Sequence, residues 1–206
     1  MFGVTCAKHP IDAAKAVKEC TKHVCMDNPS EELLGQLGVE TAENEYFITD
    51  ARREMLAKAK EDGDDWEKHG TVGAVARNSE GIVVAGTSTG GITNQMNGRI
   101  GDSPLPGCGT YANNRSAAIS CTGIGEAFIK ETAAVQIADR MRFAGQDPAE
   151  ASRIVLDGVE AHHGDGGVIV MSPHGEAVVA FNSEMMNFAF ADDDQAIPFP
   201  LEDGLE

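Results

Sequence analysis

A threonine directly follows a glycine at the point where a charged stretch of the sequence gives way to a strand-forming one. Gly70 and Thr71 lie in the run HGTVGAVA, after the acidic segment GDDWEKHG. A threonine hydroxyl needs a base to act as a nucleophile, and an N-terminal threonine carries one in its own α-amine. Cleavage between Gly70 and Thr71 would therefore create a nucleophile. An ordinary strand start is the alternative explanation for this pair.

A loop downstream of Thr71 carries a cationic and an anionic side chain three residues apart. Arg99 and Asp102 belong to the segment GRIGDSPLPG. A guanidinium can bind a carboxylate through two N–H groups, and an aspartate can bind an ammonium group. Together they would recognise the zwitterionic end of an amino acid. An ion pair between the two side chains within the loop is the alternative.

Two further segments place polar groups at the ends of predicted strands. The segment TSTGG ends one strand, with Thr89 as its last threonine, and CTGIGE carries Thr122, Gly123 and Gly125 at a turn from strand to helix. Backbone N–H groups at such a turn can stabilise an oxyanion. These groups favour acyl-transfer chemistry.

Two other patterns point to cofactors only weakly. TGIGEAF resembles a dinucleotide fingerprint, but Phe128 takes the place of its third glycine and no βαβ unit surrounds it. His162, His163 and Asp165 could ligate a metal, but adjacent histidines cannot easily face one ion, and histidine is favourable near a helix C-terminus. We therefore expect no metal and no organic cofactor.

Charge and composition exclude several classes of partner. The 206 residues include 16 Lys and Arg against 33 Asp and Glu, which gives a net charge of −17. This charge argues against nucleic acid and anionic membranes as partners. The five cysteines form no CxxC pair, and the chain shows neither a signal-peptide pattern nor a membrane-spanning run. We expect a cytoplasmic protein with a small-molecule substrate.

The elements that position these residues fall into two parts. Periodicity and capping residues predict helices at about 10–23, 30–38 and 49–62, with Ser30 and Thr49 as N-caps, and then a mobile linker at 63–70. From Thr71 onward the residue pattern becomes typical of strands. This pattern predicts a hairpin of strands 71–76 and 82–89, then a long loop 90–114 and a strand 115–122. Helices at 126–143 and 148–162 follow. The chain then ends with a closing hairpin, 166–172 and 176–181, and a loose acidic tail from Asp192.

The order of these elements indicates the fold class. Helices cluster rather than alternate with strands, so a doubly wound parallel sheet is disfavoured. We expect an α+β fold in which an antiparallel sheet is layered with helices. The two parts would together form one domain.

The motifs in this order and spacing resemble the isoaspartyl peptidase/L-asparaginase family, the plant-type asparaginases among the N-terminal-nucleophile hydrolases. The motifs are HGTVGAVA, TSTGG, GRIGDSPLPGCGTYANN and SCTGIGE. The resemblance runs from about Val4 to Phe190 and is densest between Gly70 and Glu126. The related glycosylasparaginases usually have aspartate before the nucleophile and TSTNG where this chain has Gly70 and TSTGG.

The resemblance implies an αββα sandwich, autocatalytic cleavage before the threonine and hydrolysis of L-asparagine and β-aspartyl dipeptides. Residues 1–70 would be the C-terminal part of the α-subunit and residues 71–206 the β-subunit. It also implies a role for each matching residue: Thr71 as nucleophile, Thr89 as the hydroxyl that assists it, Arg99 and Asp102 for the substrate carboxylate and ammonium, Thr122 and Gly123 for the oxyanion, and Gly125 as a further substrate contact.

The resemblance also concerns the length of the protein and its assembly. Family members carry a further N-terminal stretch with HGGAG-like and NAGxG-like segments, which contributes central strands and a sodium-binding loop, so the sandwich is expected to be incomplete at the N-terminus of this chain. Processed αβ units usually pair, which implies a homodimer of such units. The alternatives are a glycosylasparaginase, a threonine endopeptidase of the same superfamily, or a truncated, non-catalytic remnant.

Overall fold

Three helices form the N-terminal part of the chain. The computed structural model describes residues 1–62, 70–192 and 196–199, and the helices are α1 (Pro10–Cys20), α2 (Glu31–Gln36) and α3 (Asp50–Asp62). The Ser30 hydroxyl accepts a hydrogen bond from the Leu33 N–H, as an N-cap does. All three predicted helices are confirmed, but α1 ends three residues earlier than expected because Thr21 adopts an extended backbone.

The hairpin that begins at the candidate nucleophile is also present. Strands β1 (Thr71–Arg77) and β2 (Val83–Thr89) pair antiparallel, and Thr71 lies opposite Thr89. The Asn78 side chain accepts hydrogen bonds from two backbone N–H groups of the connecting turn. The predicted linker at 63–70 lies outside the described residues except for Gly70.

A four-stranded antiparallel sheet follows, in the order β3 (Thr110–Ala112), β4 (Ala118–Gly123), β5 (Gly166–Met171) and β6 (Ala177–Phe181). The prediction of an unbroken loop at 90–114 is wrong, because Thr110 and Tyr111 pair with Ser120 and Ile119. Three residues are too few to show the alternation that identifies a strand in a sequence. The closing hairpin, β5 with β6, is confirmed.

Helices α4 (Gly125–Glu131), α5 (Ala133–Ala144) and α6 (Pro148–Ala161) cover one face of this sheet. The prediction of one helix over 126–143 is wrong, because Thr132 adopts a left-handed conformation with φ of +50°. This backbone angle is uncommon for a β-branched residue, so the sequence gives no sign of the break. The buried core between helices and sheet includes Phe128, Ile137, Val155, Ile119 and Val168.

The two sheets pack against each other through alternate residues of β4. Ile119 and Cys121 face the helices, whereas Ser120 lies against β1 and β2. The Ser120 hydroxyl is 2.6 Å from that of Thr87, and a Cβ on Gly73 would overlap it. The protein is therefore a mixed α+β fold built on antiparallel sheets, as expected from the order of its elements.

A last hairpin follows the four-stranded sheet. Strands β7 (Phe188–Ala191) and β8 (Ala196–Phe199) pair antiparallel. The prediction of a loose tail from Asp192 is therefore wrong for residues 196–199, and the rest of the tail beyond Asp192 lies outside the described residues. Among the described residues, no helix is both long and apolar enough to cross a bilayer.

Candidate active site

The side chain of Thr71 lies beside a small cavity between the two sheets. Side chains alternate along a strand, so Thr71 shares with Gly73 the face that packs against β4. The cavity has a volume of about 110 Å³ and is lined by Thr71, Ser120 and Thr122. Met186 and Phe188 contribute an apolar part of its wall. The candidate nucleophile and one candidate oxyanion residue therefore line the same cavity.

Thr89 contacts the peptide bond that precedes Thr71. Its hydroxyl donates a hydrogen bond of 3.2 Å to the carbonyl oxygen of Gly70 and accepts one of 3.0 Å from the N–H of Gly91. With its oxygen bound by the Gly91 N–H, the hydroxyl can donate its proton to the Gly70 carbonyl. A donor at this position polarises that carbonyl and favours attack on its carbon.

Gly70 leaves space for an arginine of helix α3. The Nη2 atom of Arg52 lies 3.1 Å from the position that a Cβ on Gly70 would occupy. The φ of Gly70 is outside the left-handed region, so the structure shows no backbone strain of that kind at this residue. Any larger residue at this position would press against the Arg52 guanidinium.

Arg99 pairs with Glu126 and not with its neighbour in the loop. Its Nε and Nη2 atoms donate hydrogen bonds of 2.8 and 3.0 Å to the two carboxylate oxygens of Glu126, in the first turn of α4. The alternative of an Arg99–Asp102 pair is therefore not what the structure shows. The side chain of Arg99 is only 14% exposed.

Asp102 is buried beside Arg99 with one oxygen unused. Its Oδ2 atom has no hydrogen-bond partner among the described residues, and the residue is 5% exposed. Burial raises the pKa of this carboxyl from 3.8 to about 6, while backbone N–H groups and Arg99 act in the opposite direction. A buried carboxylate oxygen without a partner is costly, so this site favours a ligand that donates hydrogen bonds or carries positive charge.

Gly125 lets the loop approach helix α4. A Cβ on Gly125 would lie 2.9 Å from Asp102 Oδ1 and 3.3 Å from Arg99 Nη2. Gly123 ends β4 with a φ of +143°, and a Cβ there would overlap the backbone of Asp165 and Gly166. Glycine is required at both positions for the turn from β4 into α4 to reach the Arg99–Asp102 loop.

Comparison with known proteins shows the family to which this chain belongs. This chain is 43% identical over 197 residues to the isoaspartyl peptidase of Salmonella typhimurium and 42% identical over 197 residues to that of Escherichia coli. A family model described as asparaginase matches residues 1–199. The chain belongs to the isoaspartyl peptidase/L-asparaginase family.

The asparaginase-family relatives are longer than this chain. The two bacterial alignments cover 89% of this chain but 63% and 61% of the relatives. The human isoaspartyl peptidase/L-asparaginase is 37% identical over 200 residues, which cover 92% of this chain and 64% of the human protein. The chain thus spans less than two thirds of the length of these members of the asparaginase family.

The predicted site residues form two groups in the structure. Thr71 and Thr122 share the cavity, and Thr89 joins them through the carbonyl of Gly70. The second group is Arg99, Asp102 and Gly125 at the N-terminus of α4, where a Cβ on Gly125 would meet both other side chains and the charge of Arg99 acts on Asp102. Gly123 connects the two groups along the chain.

Sequence reasoning missed two contributors to the site of this asparaginase-family chain. Glu126 follows Gly125 directly and binds Arg99, and an acidic residue beside a glycine-rich turn was the available signal. Nothing in the sequence marks Met186 and Phe188 as part of a cavity wall, because apolar residues of this kind are equally typical of a hydrophobic core.

His162, at the end of α6, has an acidic partner. The Nε2 atom of His162 lies 3.5 Å from a carboxylate oxygen of Glu131 on α4. Among residues 1–62, 70–192 and 196–199, no three His, Cys, Asp or Glu side chains are grouped closely enough to hold a metal ion.

Proposed function

We propose that this protein hydrolyses L-asparagine and β-aspartyl dipeptides through Thr71, after self-cleavage between Gly70 and Thr71. The observation that carries the proposal is the hydrogen bond from Thr89 to the Gly70 carbonyl, beside a threonine whose side chain faces a cavity. Relatives named isoaspartyl peptidase, at 43% and 42% identity, support the choice of substrate class.

In the proposed maturation, the Thr71 hydroxyl attacks the Gly70 carbonyl carbon. The C–N bond between the two residues breaks as the Gly70 acyl group moves from nitrogen to oxygen, and the resulting ester links Gly70 to the Thr71 side chain. Water then hydrolyses the ester and leaves a free α-amine on Thr71. The Thr89 hydroxyl supports this step because it donates to the oxygen that becomes negative. The products are residues 1–70 and 71–206.

In the proposed hydrolysis, the freed α-amine accepts the proton of the Thr71 hydroxyl. The hydroxyl oxygen attacks the side-chain carbonyl carbon of the substrate, ammonia or the amine of a dipeptide leaves, and a β-aspartyl ester remains. Water releases aspartate and restores the hydroxyl. Thr122 and Gly123 would stabilise the oxyanion, a role supported by the cavity that Thr122 shares with Thr71.

The other end of the substrate would bind in the second group of residues. Arg99 offers the N–H groups that Glu126 does not use to the α-carboxylate, and the unpartnered oxygen of Asp102 accepts hydrogen bonds from the α-ammonium. Gly125 keeps this space open because any side chain there would press against both residues. The steps need no metal or organic cofactor.

The proposal extends to the architecture of the whole protein. Helices α4 to α6, the four-stranded sheet and the β1–β2 hairpin form three successive layers, and Ile11 of α1 lies against Gly86 on the hairpin. This arrangement is consistent with an αββα sandwich. We further propose that the processed units form a homodimer.

A substrate panel tests the proposal. The protein, expressed from its complete reading frame, is incubated with L-asparagine, a β-aspartyl dipeptide and glycosylasparagine, and aspartate release is measured against a Thr71→Ala control. We expect turnover of the first two substrates and none in the control. Turnover of glycosylasparagine alone would assign the protein to that neighbouring activity, and an inert, uncut protein would contradict the proposal.

A further inference from the structure

The pairing of Arg99 with Glu126 leaves one side of the guanidinium available. Glu126 accepts hydrogen bonds from Nε and from one N–H of Nη2. A guanidinium carries five N–H groups, so both N–H groups of Nη1 and the second of Nη2 remain. Gln95 Oε1 lies 3.5 Å from Nη1, at the limit of a hydrogen bond. A carboxylate can therefore still bind Arg99 through two N–H groups of this free side.

We propose that Glu126 is the positioning residue that holds Arg99 for recognition of the substrate α-carboxylate. An arginine side chain has many rotamers, and fixing one of them on binding costs conformational entropy. This cost is smaller when contacts in the free protein already hold the side chain in place. The two hydrogen bonds from Glu126 fix the plane of the guanidinium as well as its position. This inference rests on the proposed function, because it assigns the carboxylate of that substrate to Arg99.

The surroundings of the pair support this role. The side chain of Arg99 is 14% exposed and that of Glu126 is 38% exposed, so the guanidinium is the more buried partner and solvent still reaches the pair. Asp102 contributes a second negative charge beside Arg99. Two carboxylates around one guanidinium leave a net negative charge, which favours an ammonium group beside Asp102 when a ligand carboxylate binds Arg99.

A purely structural role for Glu126 makes a different prediction. An acidic residue in the first turn of a helix is favourable whatever it contacts. In that case its removal would lower the melting temperature and affect all kinetic constants in the same way. A positioning residue affects binding of the carboxylate and acts only when Arg99 is present.

The test is a double-mutant cycle on the protein expressed from its complete reading frame, with Glu126→Ala, Arg99→Ala and the double variant. We expect Glu126→Ala to raise the KM for L-asparagine about 10- to 100-fold with kcat nearly unchanged. In the Arg99→Ala background, the same change should alter kcat/KM less than about twofold. The rate of cleavage before Thr71 should stay the same in all three variants.

Two further variants keep the test decisive. Glu126→Gln retains the shape and one acceptor, so it should restore part of the lost affinity even if Glu126→Ala folds poorly. Lys130→Ala, at an exposed position of the same helix, should behave as the wild type. An unchanged KM in Glu126→Gln and Glu126→Ala, or equal losses in both backgrounds, would overturn this inference alone. A wild-type protein without turnover would overturn it together with the proposed function.

Discussion

The hydroxyl of Thr89 lies 3.2 Å from the carbonyl oxygen of Gly70, and Thr89 is also the residue opposite Thr71 in the β1–β2 hairpin. Strand pairing therefore delivers a hydroxyl donor to the peptide bond that precedes the candidate nucleophile. The register of one hairpin sets this geometry. It links the local fold to the chemistry proposed for Thr71.

Removal of this hydroxyl should slow self-cleavage. Thr89→Val keeps the volume and the β-branched shape but cannot donate to the Gly70 carbonyl, so we expect cleavage to slow by about 10²- to 10³-fold. Intact-mass spectrometry of freshly purified protein over time measures this rate. Thr89→Ser retains the hydroxyl and is the matched control. Equal cleavage rates in the valine variant and the wild type would show that this hydrogen bond has no catalytic role.

Binding of the product should depend on the protonation of Asp102. Burial raises the pKa of this carboxyl to about 6, and an ammonium ligand requires its ionised form. Affinity for L-aspartate should therefore be constant above this pKa and fall as the pH decreases through it, by up to about tenfold per pH unit below it. Calorimetric titration between pH 5 and about 8 measures this dependence.

Asp102→Asn supplies the control for that dependence. The amide cannot ionise, so binding in this variant should be weaker at neutral pH and should lose the step near pH 6. The sign for stability is opposite to that for binding. Because folding raises the pKa, protonation favours the folded state, and this contribution is complete below about pH 4 and is lost as the pH rises through the folded pKa. A wild type whose affinity increases as the pH falls would contradict the assignment of Asp102.

Gly125 should tolerate no side chain. A methyl group there would lie 2.9 Å from Asp102 Oδ1, so Gly125→Ala should displace the carboxylate and lower kcat/KM for L-asparagine about 10-fold or more. The matched control is Gly35→Ala in helix α2, where an added Cβ meets no atom within 4 Å. That change should leave activity intact and stabilise the protein by about 0.4–1 kcal/mol. Equal activity in the two variants would show that Asp102 does not depend on this space.

Packing between the sheets should depend on Gly73. A Cβ there would overlap the Ser120 hydroxyl, so Gly73→Ala should destabilise the protein by about 1–3 kcal/mol in denaturant unfolding. Ser120→Gly, which removes the opposing side chain, should recover part of this loss in the double variant. Additive losses from the two changes would indicate that the residues do not oppose each other.

The parts of the fold that the sequence predicted are those with strong local signals. Ser30 caps α2 as expected, and the hairpin from Thr71 to Thr89 has the predicted extent within one residue. The break at Thr132 and strand β3 had no such signal, since the first needs an unfavourable backbone angle and the second contains three residues. Tertiary contacts stabilise both, and these are not visible in a single sequence.

The candidate site shows the same division. Motif spacing identified Arg99 and Asp102 together, and the structure brings them together with Gly125. The partner of Arg99 was not foreseen, because Glu126 is 27 residues away along the chain and strands β3 and β4 lie between them. Loop geometry decides which of two nearby carboxylates an arginine meets, and sequence spacing does not determine it.

In the proposed mechanism, Thr71 acts through a free α-amine that cleavage creates. The most direct measurement combines intact-mass spectrometry with an assay of aspartate release, on wild type and Thr71→Ala protein expressed from the complete reading frame. We expect a new N-terminus at Thr71, activity that rises in proportion to the cleaved fraction, and neither event in Thr71→Ala. An uncut protein that hydrolyses L-asparagine at the full rate would contradict it, because an uncut Thr71 has an amide nitrogen in place of its base.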